Sequence, residues 1–423
     1  MGKNPYRMLF ADEQGVLYDH PALRAAGRSG DRYVELMDED LVELPTGASL
    51  TMIPGGVPVG LTAAGQFAPL DPFPGKNGRV WAVGALLPQG YTRTWLPAYI
   101  KDEAGPLPLL GYTAVACRNG TMYGAIQPTD DPTPWDPTYF DTADLNNKVG
   151  RFIAKRRDNR LLQHLAHCAL AYHCFTAQNI FYRRWEGGIP VSPSCNAACL
   201  GCISQQPADC CPSPQNRIGF RPTLKEVLEI ALPHLEEGGK DAMVSFGQGC
   251  EGEPALEAEI ISAAIAQIRQ ITKSGTINMN TNGGYTRGIE TICATGLDAL
   301  RVSFISARQD TFQAYYRPRG YTLQDVSRSI KTAVANGVYV SLNLLTLPGF
   351  TDRPEETAAL VDFLQETGVH MVQLRNLNID PDWLQTHLPN TSQPPLGIDQ
   401  LIITLKKLPG LRLGNYSRRK SIR

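Results

Sequence analysis

The hydrophobic and polar positions of this chain fall into two textures that meet near residue 187. Up to about residue 140, short apolar runs such as Leu50–Ile53, Val80–Leu87 and Tyr112–Cys117 are separated by Pro54-Gly55-Gly56, Pro74-Gly75 and Arg118-Asn119-Gly120. Short runs bounded by turn-forming residues predict a compact β-rich domain. The stretch 128–141 carries four prolines and four aspartates and reads as a linker. Apolar residues at three- and four-residue intervals then predict a helical connector from Asp144 to Arg184, in two pieces.

From Gly187 the pattern becomes a regular alternation. Strands are predicted at Ile189–Ser192, Ala242–Gly247, Thr276–Asn282, Ala299–Ile305, Val338–Thr346 and Met371–Leu377. Helices are predicted at Thr223–Leu232, Ala255–Thr272, Arg287–Thr295, Leu323–Asn336 and Arg353–Thr367, with a last one over Ile398–Leu408. Thr223 with Glu226, and Asp352 with Glu355, have capping-box spacing. Pro233 is expected to end its helix, and Gly296, Gly337 and Gly368 to stop others. Strands each followed by a helix imply a parallel sheet, because parallel neighbours need crossover connections. Six such units are two short of a closed eight-stranded barrel. The expected fold class is α/β: a partial (β/α)6 TIM-like barrel, preceded by a β-rich N-terminal domain and a helical linker. The expected boundaries are 1–140, 141–186, 187–410 and a basic tail at 411–423.

Composition narrows the function. Of 423 residues, 43% are apolar and 19% charged, with a net charge of −1, so nothing draws the whole chain to nucleic acid or an anionic membrane. The basic run Arg418-Arg419-Lys420 with Arg423 reads as a solvated tail. No apolar stretch reaches the roughly 18 residues of a membrane span. Met1–Phe10 lacks the apolar core and cleavage site of a secretory signal, so a cytoplasmic location is expected. Ten cysteines in such a chain point to metal ligands, reactive groups or buried thiols before disulfides.

Three of those cysteines lie together in Pro193-Ser194-Cys195-Asn196-Ala197-Ala198-Cys199-Leu200-Gly201-Cys202, just after the first predicted strand. A loop this tight can turn three thiolates toward one point, where they bind soft iron or zinc. A closed zinc site would need a fourth ligand, which Cys210 or Cys211 could supply. Gly249-Cys250-Glu251-Gly252-Glu253-Pro254 follows the second strand, and Asn280-Thr281-Asn282-Gly283 ends the third. Arg301, Ser303 and Ser306 interrupt the apolar fourth strand, Asn343 the fifth, and Gln373, Arg375, Asn376 and Asn378 the sixth. Polar side chains on a doubly covered strand need partners, since each left unpaired costs about 1–3 kcal/mol.

The C-x3-C-x2-C run at the head of a β/α alternation resembles the radical S-adenosylmethionine (SAM) superfamily, over about residues 187–410. The resemblance implies a [4Fe–4S] cluster on Cys195, Cys199 and Cys202, with one iron open to SAM. It implies that Gly252 and Glu253, similar to the family's Gly-Glu-Pro motif, engage the SAM amino group. Asn280 and Asn282 correspond to its Thr-Asn-Gly, Ser303 and Asn343 would face SAM, and Gln373 and Arg375 would face SAM or substrate. Arg319, in Tyr315–Tyr321, is the basic residue suited to the SAM carboxylate. Many members have an aromatic residue where this chain has Gly201. The implied partners are an external one-electron donor of flavodoxin or ferredoxin type and a small-molecule or protein substrate.

Other thiols are expected to be quieter. His164, His167 and Cys168 share a helix face with His173 and Cys174 nearby, but no fourth ligand is evident, so they read as packed helix residues. Cys250 reads as a small buried thiol. No cysteine follows Cys293, so a single cluster is expected. Three functions fit these observations: an enzyme acting on a small molecule, an activase that installs a glycyl radical or otherwise modifies a protein, and a non-catalytic iron–sulfur or zinc protein.

Overall fold

A computed structural model describes residues 4–70, 78–101, 105–207, 210–390 and 393–418. The turn at Pro74-Gly75 and the tail residues Arg419, Lys420 and Arg423 lie outside the described residues. The N-terminal region is β-rich, with an eleven-stranded and a three-stranded sheet among the described residues. Its three apolar runs become the strands Ser49–Ile53, Val80–Leu86 and Thr113–Arg118. Thr113–Arg118 pairs antiparallel with Thr121–Pro128 across Asn119-Gly120, both at positive φ (54° and 80°). That two-residue turn matches the twist of the strands it joins.

The region read as a linker is packed. Trp135 and Phe140 are buried against Tyr416, and Asp130 accepts from Asn415 N at 2.9 Å and pairs with Arg418. The connector is three helices, Leu145–Ala154, Arg160–Ala171 and Phe175–Tyr182. The break before the third falls at His173, whose φ of 50° no helix accommodates.

The C-terminal half is an α/β layer built on a parallel sheet of seven strands in sequential order, among the described residues. These are Glu186–Gly188, Met243–Phe246, Thr276–Thr281, Ala299–Phe304, Tyr339–Thr346, Met371–Asn376 and Arg412–Gly414. Two ends differ from expectation. The first strand stops at Gly188, because Pro190 has no N–H and the Val191 and Ser192 amides are taken by the Glu251 carboxylate. The seventh strand lies where a tail was expected: Arg412–Gly414 pairs with the sixth strand, and Asn415, Tyr416 and Ser417 are buried.

Helix ends also test the sequence rules. Thr223 and Glu226 form their capping box, but Asp352 does not cap; it accepts from Gly349 N and Gly397 N, and the helix starts at Pro354. Pro233 does not stop its helix, which runs from Leu224 to Glu237. Past Pro233 the helix is anchored by buried Leu235 and by His234, whose Nε2 lies 2.9 Å from Trp185 O. Packing there outweighs one lost backbone bond.

The two halves are joined by buried polar contacts. Arg93, fully buried, donates to Leu377 O at 2.6 Å and Thr346 O at 3.3 Å, and its N–H reaches Asn376 Oδ1 at 2.9 Å. Asp380 holds Lys101 Nζ and Leu107 N, and Arg28 pairs with Asp382 at 2.6 Å. The N-terminal region therefore grips the chain at the carboxyl ends of the fifth and sixth strands.

Candidate active site

The cysteine loop has neither helix nor strand, and its shape is set by backbone bonds to two other segments. Ala198 N and Leu200 N donate to Tyr316 O and Tyr315 O, both at 3.0 Å, and Arg319 N donates to Asn196 O at 2.8 Å. On the other side Gly252 N and Glu253 N donate to Ser192 O and Ser194 O at 2.7 and 2.8 Å. A Cβ on Gly252 would stand 1.9 Å from Ser194 O, so only glycine permits this approach. Gly201 is explained in the same way: a Cβ there would meet the Tyr315 hydroxyl at 2.7 Å, leaving no room for an aromatic ring.

Cys195, Cys199 and Cys202 are all free and half-buried. Burial, reinforced by Glu253, pushes the Cys195 thiol up to about 11, and burial raises Cys199 as well. Arg217 Nη2 lies 3.7 Å from Cys202 Sγ and supplies positive charge beside it. The three sulfurs are not drawn to the spacing of ligands around one ion; among the described residues, convergence within 4.8 Å is met elsewhere, at His164, Cys168 and Cys250.

The Gly-Glu-Pro segment carries two buried carboxylates. Glu251 binds Val191 N, Ser192 N and Gly247 N, so it staples the start of the cysteine loop to the end of the second strand. Burial lifts it to about 8. Glu253 accepts from Ala255 N at 3.0 Å, Asn282 N at 2.8 Å and the Thr281 hydroxyl. Burial lifts it to about 6. Glu253 is thus committed to the end of the third strand, and any contact with a ligand is shared with that role. Asn282 Nδ2 donates to Asn196 Oδ1 at 2.6 Å, closing a ring of contacts from the third strand to the cysteine loop.

The parallel sheet has one apolar and one polar face. Ile277, Met279, Leu300, Val302, Val340, Leu342, Val372 and Leu374 enter the main core. The alternate positions are polar, as strand geometry requires of a two-faced sheet. Glu186 accepts from Ser245 Oγ at 2.7 Å, Gln248 Nε2 at 2.8 Å and Arg301 Nη2 at 3.3 Å. Asn278 Nδ2 reaches Ser245 Oγ and Asn280 Oδ1, and Arg301 and Gln373 both reach Ser417 Oγ. The Arg301–Glu186 contact links the fourth strand to the first across this face.

Ser303, Asn343 and Gln373 stand in register on three neighbouring strands. Tyr316 donates to Ser303 Oγ at 3.4 Å, and Gln373 Nε2 donates to Ser341 Oγ at 2.9 Å. The side-chain oxygens of Asn278, Asn343 and Gln373 are buried without a partner. Arg375, two residues on from Gln373 along the same strand, shares this face with Arg301 and Glu186, whereas Ser306, Asn376 and Arg319 do not join it. Arg375 donates to Gln89 Oε1 and Asn415 O at 2.8 Å, and burial pulls it down to about 10. Ser306 bonds to Glu356 on the helix layer, and Asn376 holds Arg93 and Tyr91. The Arg319 side chain is exposed, and its backbone makes the contact with the loop.

Glu186, Glu251, Arg217 and Ser417 were not singled out from sequence. Glu251 sits inside the quoted motif and Glu186 one residue before the expected barrel. Ser417 needed the seventh strand, and Arg217 has no sequence signal.

The family model for the radical SAM superfamily matches residues 189–361. No curated protein matches the sequence. Similar solved structures include SuiB of Streptococcus suis bound to S-adenosylmethionine, at 14% identity and a TM-score of 0.39, covering 57% of this chain and 54% of that one. A radical SAM methyltransferase from Sphaerobacter thermophilus is similar at 17% identity and a TM-score of 0.40, over 56% of this chain and 68% of that one. HydG, a maturase of the [FeFe]-hydrogenase, is similar at 15% identity and a TM-score of 0.39, over 64% and 62%. The chain thus spans about half the length of SuiB. Among the described residues, no helix is long and apolar enough to cross a membrane.

Proposed function

We propose that this chain, whose residues 189–361 match the family model for the radical SAM superfamily, is an enzyme that holds a [4Fe–4S] cluster on Cys195, Cys199 and Cys202 and uses SAM to act on a small molecule. The observation that carries the reading is the cysteine loop tied by its backbone to both Gly252-Glu253 and the Tyr315–Arg319 segment. When bound, the cluster would supply one electron for reductive cleavage of SAM, and SAM the radical chemistry on substrate.

The chain's residues position and exclude. Cys195, Cys199 and Cys202 would supply the thiolates that hold the cluster, with the Arg217 guanidinium beside the Cys202 sulfur. Gly252 brings the second-strand loop against the cysteine loop, so that the backbone of this motif would border the cluster. Glu253, fixed by Thr281 and Asn282, sets the negative charge near the SAM amino group, and Asn280 and Asn282 line the end of the third strand. We read the parallel sheet as a partial barrel whose polar face receives SAM and substrate. The unpartnered oxygens of Asn278, Asn343 and Gln373 are supplied there by a polar ligand. The N-terminal region closes the barrel on the side of Arg93 and Arg375, and a ferredoxin- or flavodoxin-type protein delivers the electron.

Anaerobic reconstitution with iron and sulfide, followed by dithionite and SAM, tests the reading. Formation of 5′-deoxyadenosine supports it. A protein that binds about four irons but makes none is a non-catalytic iron–sulfur protein.

A further inference from the structure

The sequence places His164 and Cys168 four apart on the helix Arg160–Ala171, on one face and without an evident partner. The fold brings a third residue to that face from elsewhere. Cys250, on the loop after the second parallel strand, puts its sulfur beside them, and His164, Cys168 and Cys250 offer ligand atoms all within 4.8 Å of one another. His164 Nε2 lies 3.6 Å from Cys168 Sγ. Zinc bonds of about 2.3 Å to sulfur and about 2.05 Å to nitrogen, opened at a tetrahedral angle, put the two donors about 3.6 Å apart. Both thiols are buried, Cys168 fully and Cys250 at 4% exposure, while the imidazole is half-buried and offers the ion a way in.

We propose that His164, Cys168 and Cys250 form a structural zinc site, separate from the cysteine loop and independent of the function proposed above. The donor set, two thiols and an imidazole with their ligand atoms all within 4.8 Å of one another, is the borderline-soft mixture that zinc takes. A disulfide between the two thiols would leave the imidazole without a purpose at ligand distance. Cys174 stands outside that group, which leaves the fourth position of the tetrahedron to water or to a movement of its thiol. The ion would join the connector helix to the Gly249–Pro254 loop, whose Glu251 and Glu253 shape the candidate active site, so zinc here braces that loop from behind.

The experiment uses the full chain with Cys195, Cys199 and Cys202 all changed to Ser, so that no cluster competes for metal. The protein is loaded with zinc, dialysed, and its metal measured by mass spectrometry and zinc-edge X-ray absorption. The expected result is about one zinc per chain with two or three sulfur neighbours. His164→Ala and Cys250→Ser, each added to that background, should drop zinc well below stoichiometry while circular dichroism is unchanged. His164→Ala is the safer of the two for folding, because its ring is half-exposed. The proposal is overturned if the parent variant keeps no stoichiometric zinc. It is equally overturned if both added variants keep it, or if peptide mapping of the unfolded, unreduced protein finds a disulfide between Cys168 and Cys250. Since no SAM cleavage is read, failure here leaves the enzyme reading untouched, and the reverse holds too.

Discussion

The two thiol groups of this protein are built in opposite ways. Cys195, Cys199 and Cys202 come from one loop of eight residues, and the surrounding fold only has to hold that loop in shape. His164, Cys168 and Cys250 come from a helix and a loop separated by some eighty positions, and nothing but packing makes them neighbours. A contiguous site tolerates movement of the elements around it; an assembled site fails as soon as they part. The half-buried loop thiols do not gather within 4.8 Å of one another, whereas the ligand atoms of the assembled group do.

The largest effect should come from the loop itself. Changing Cys195, Cys199 or Cys202 singly to Ala is expected to remove most of the broad brown absorbance and all 5′-deoxyadenosine formation. Iron content at the level of the unaltered protein in all three variants would sink the assignment. The same variants should leave the thiol reactivity of Cys168 and Cys250 as it was, which sharpens the separation between the groups.

Glu253→Gln comes next. The amide keeps the size of the carboxylate but weakens its bonds to Thr281, Asn282 and Ala255 and removes its charge. Iron should remain, while SAM affinity, followed through the EPR signal of the reduced cluster, falls about tenfold to a hundredfold for a lost charge-assisted bond of about 1.5–3 kcal/mol. An unchanged affinity would leave Glu253 as a purely structural group.

The assembled site can be loosened without touching a ligand. Asn159 caps the helix that carries His164 and Cys168, accepting from Leu162 N and donating to Glu226 O and Glu229 Oε2. Asn159→Ala should cost about 1–3 kcal/mol in denaturant unfolding, with little change in iron at the loop. Acid acts on the same latch. The Arg160 guanidinium, with the Thr223 and Arg160 amides, holds Glu226 down at about 2. The unfolded chain binds that proton nearer pH 4.5, so the stability from Glu226 is complete above that pH and is lost as pH falls toward 2. The Glu226→Gln variant should lose this dependence; a parallel pH profile would show that another group carries it.

The smallest effect is expected at Cys210 and Cys211. Their sulfurs lie 3.8 Å apart, and Cys211 is buried in the main core. Cys210→Ala and Cys211→Ala should each leave iron content unchanged. A loss of iron in either would draw that residue into the loop site and erode the contrast between a self-contained motif and an assembled one.

Much of the C-terminal half was legible because its signals are local. A strand is an apolar run, a helix end is a capping residue, and a tight thiol loop is visible in ten letters. The polar alternation through Ser303, Asn343 and Gln373 also survives from sequence to the polar face, since side-chain direction follows from strand geometry. The misses share a cause. Pro233, Asp352 and the end of the first strand were judged by local propensity, and each was overruled by a contact from afar: the His234 anchor, the Gly349 and Gly397 amides, and the Glu251 carboxylate.

By itself, then, the sequence determined the alternating α/β half, the position of the cysteine loop and the chemistry its three thiols suit. Those properties depend on neighbours along the chain. Tertiary structure alone decided that Arg412–Gly414 enters the sheet, that residues 128–141 are packed beside it, that Glu253 is bound to the third strand, and that Cys250 meets His164 and Cys168. Each of these is a pairing of distant groups whose partner is chosen by burial, because a buried donor, acceptor or charge must be satisfied by whatever the fold brings within reach.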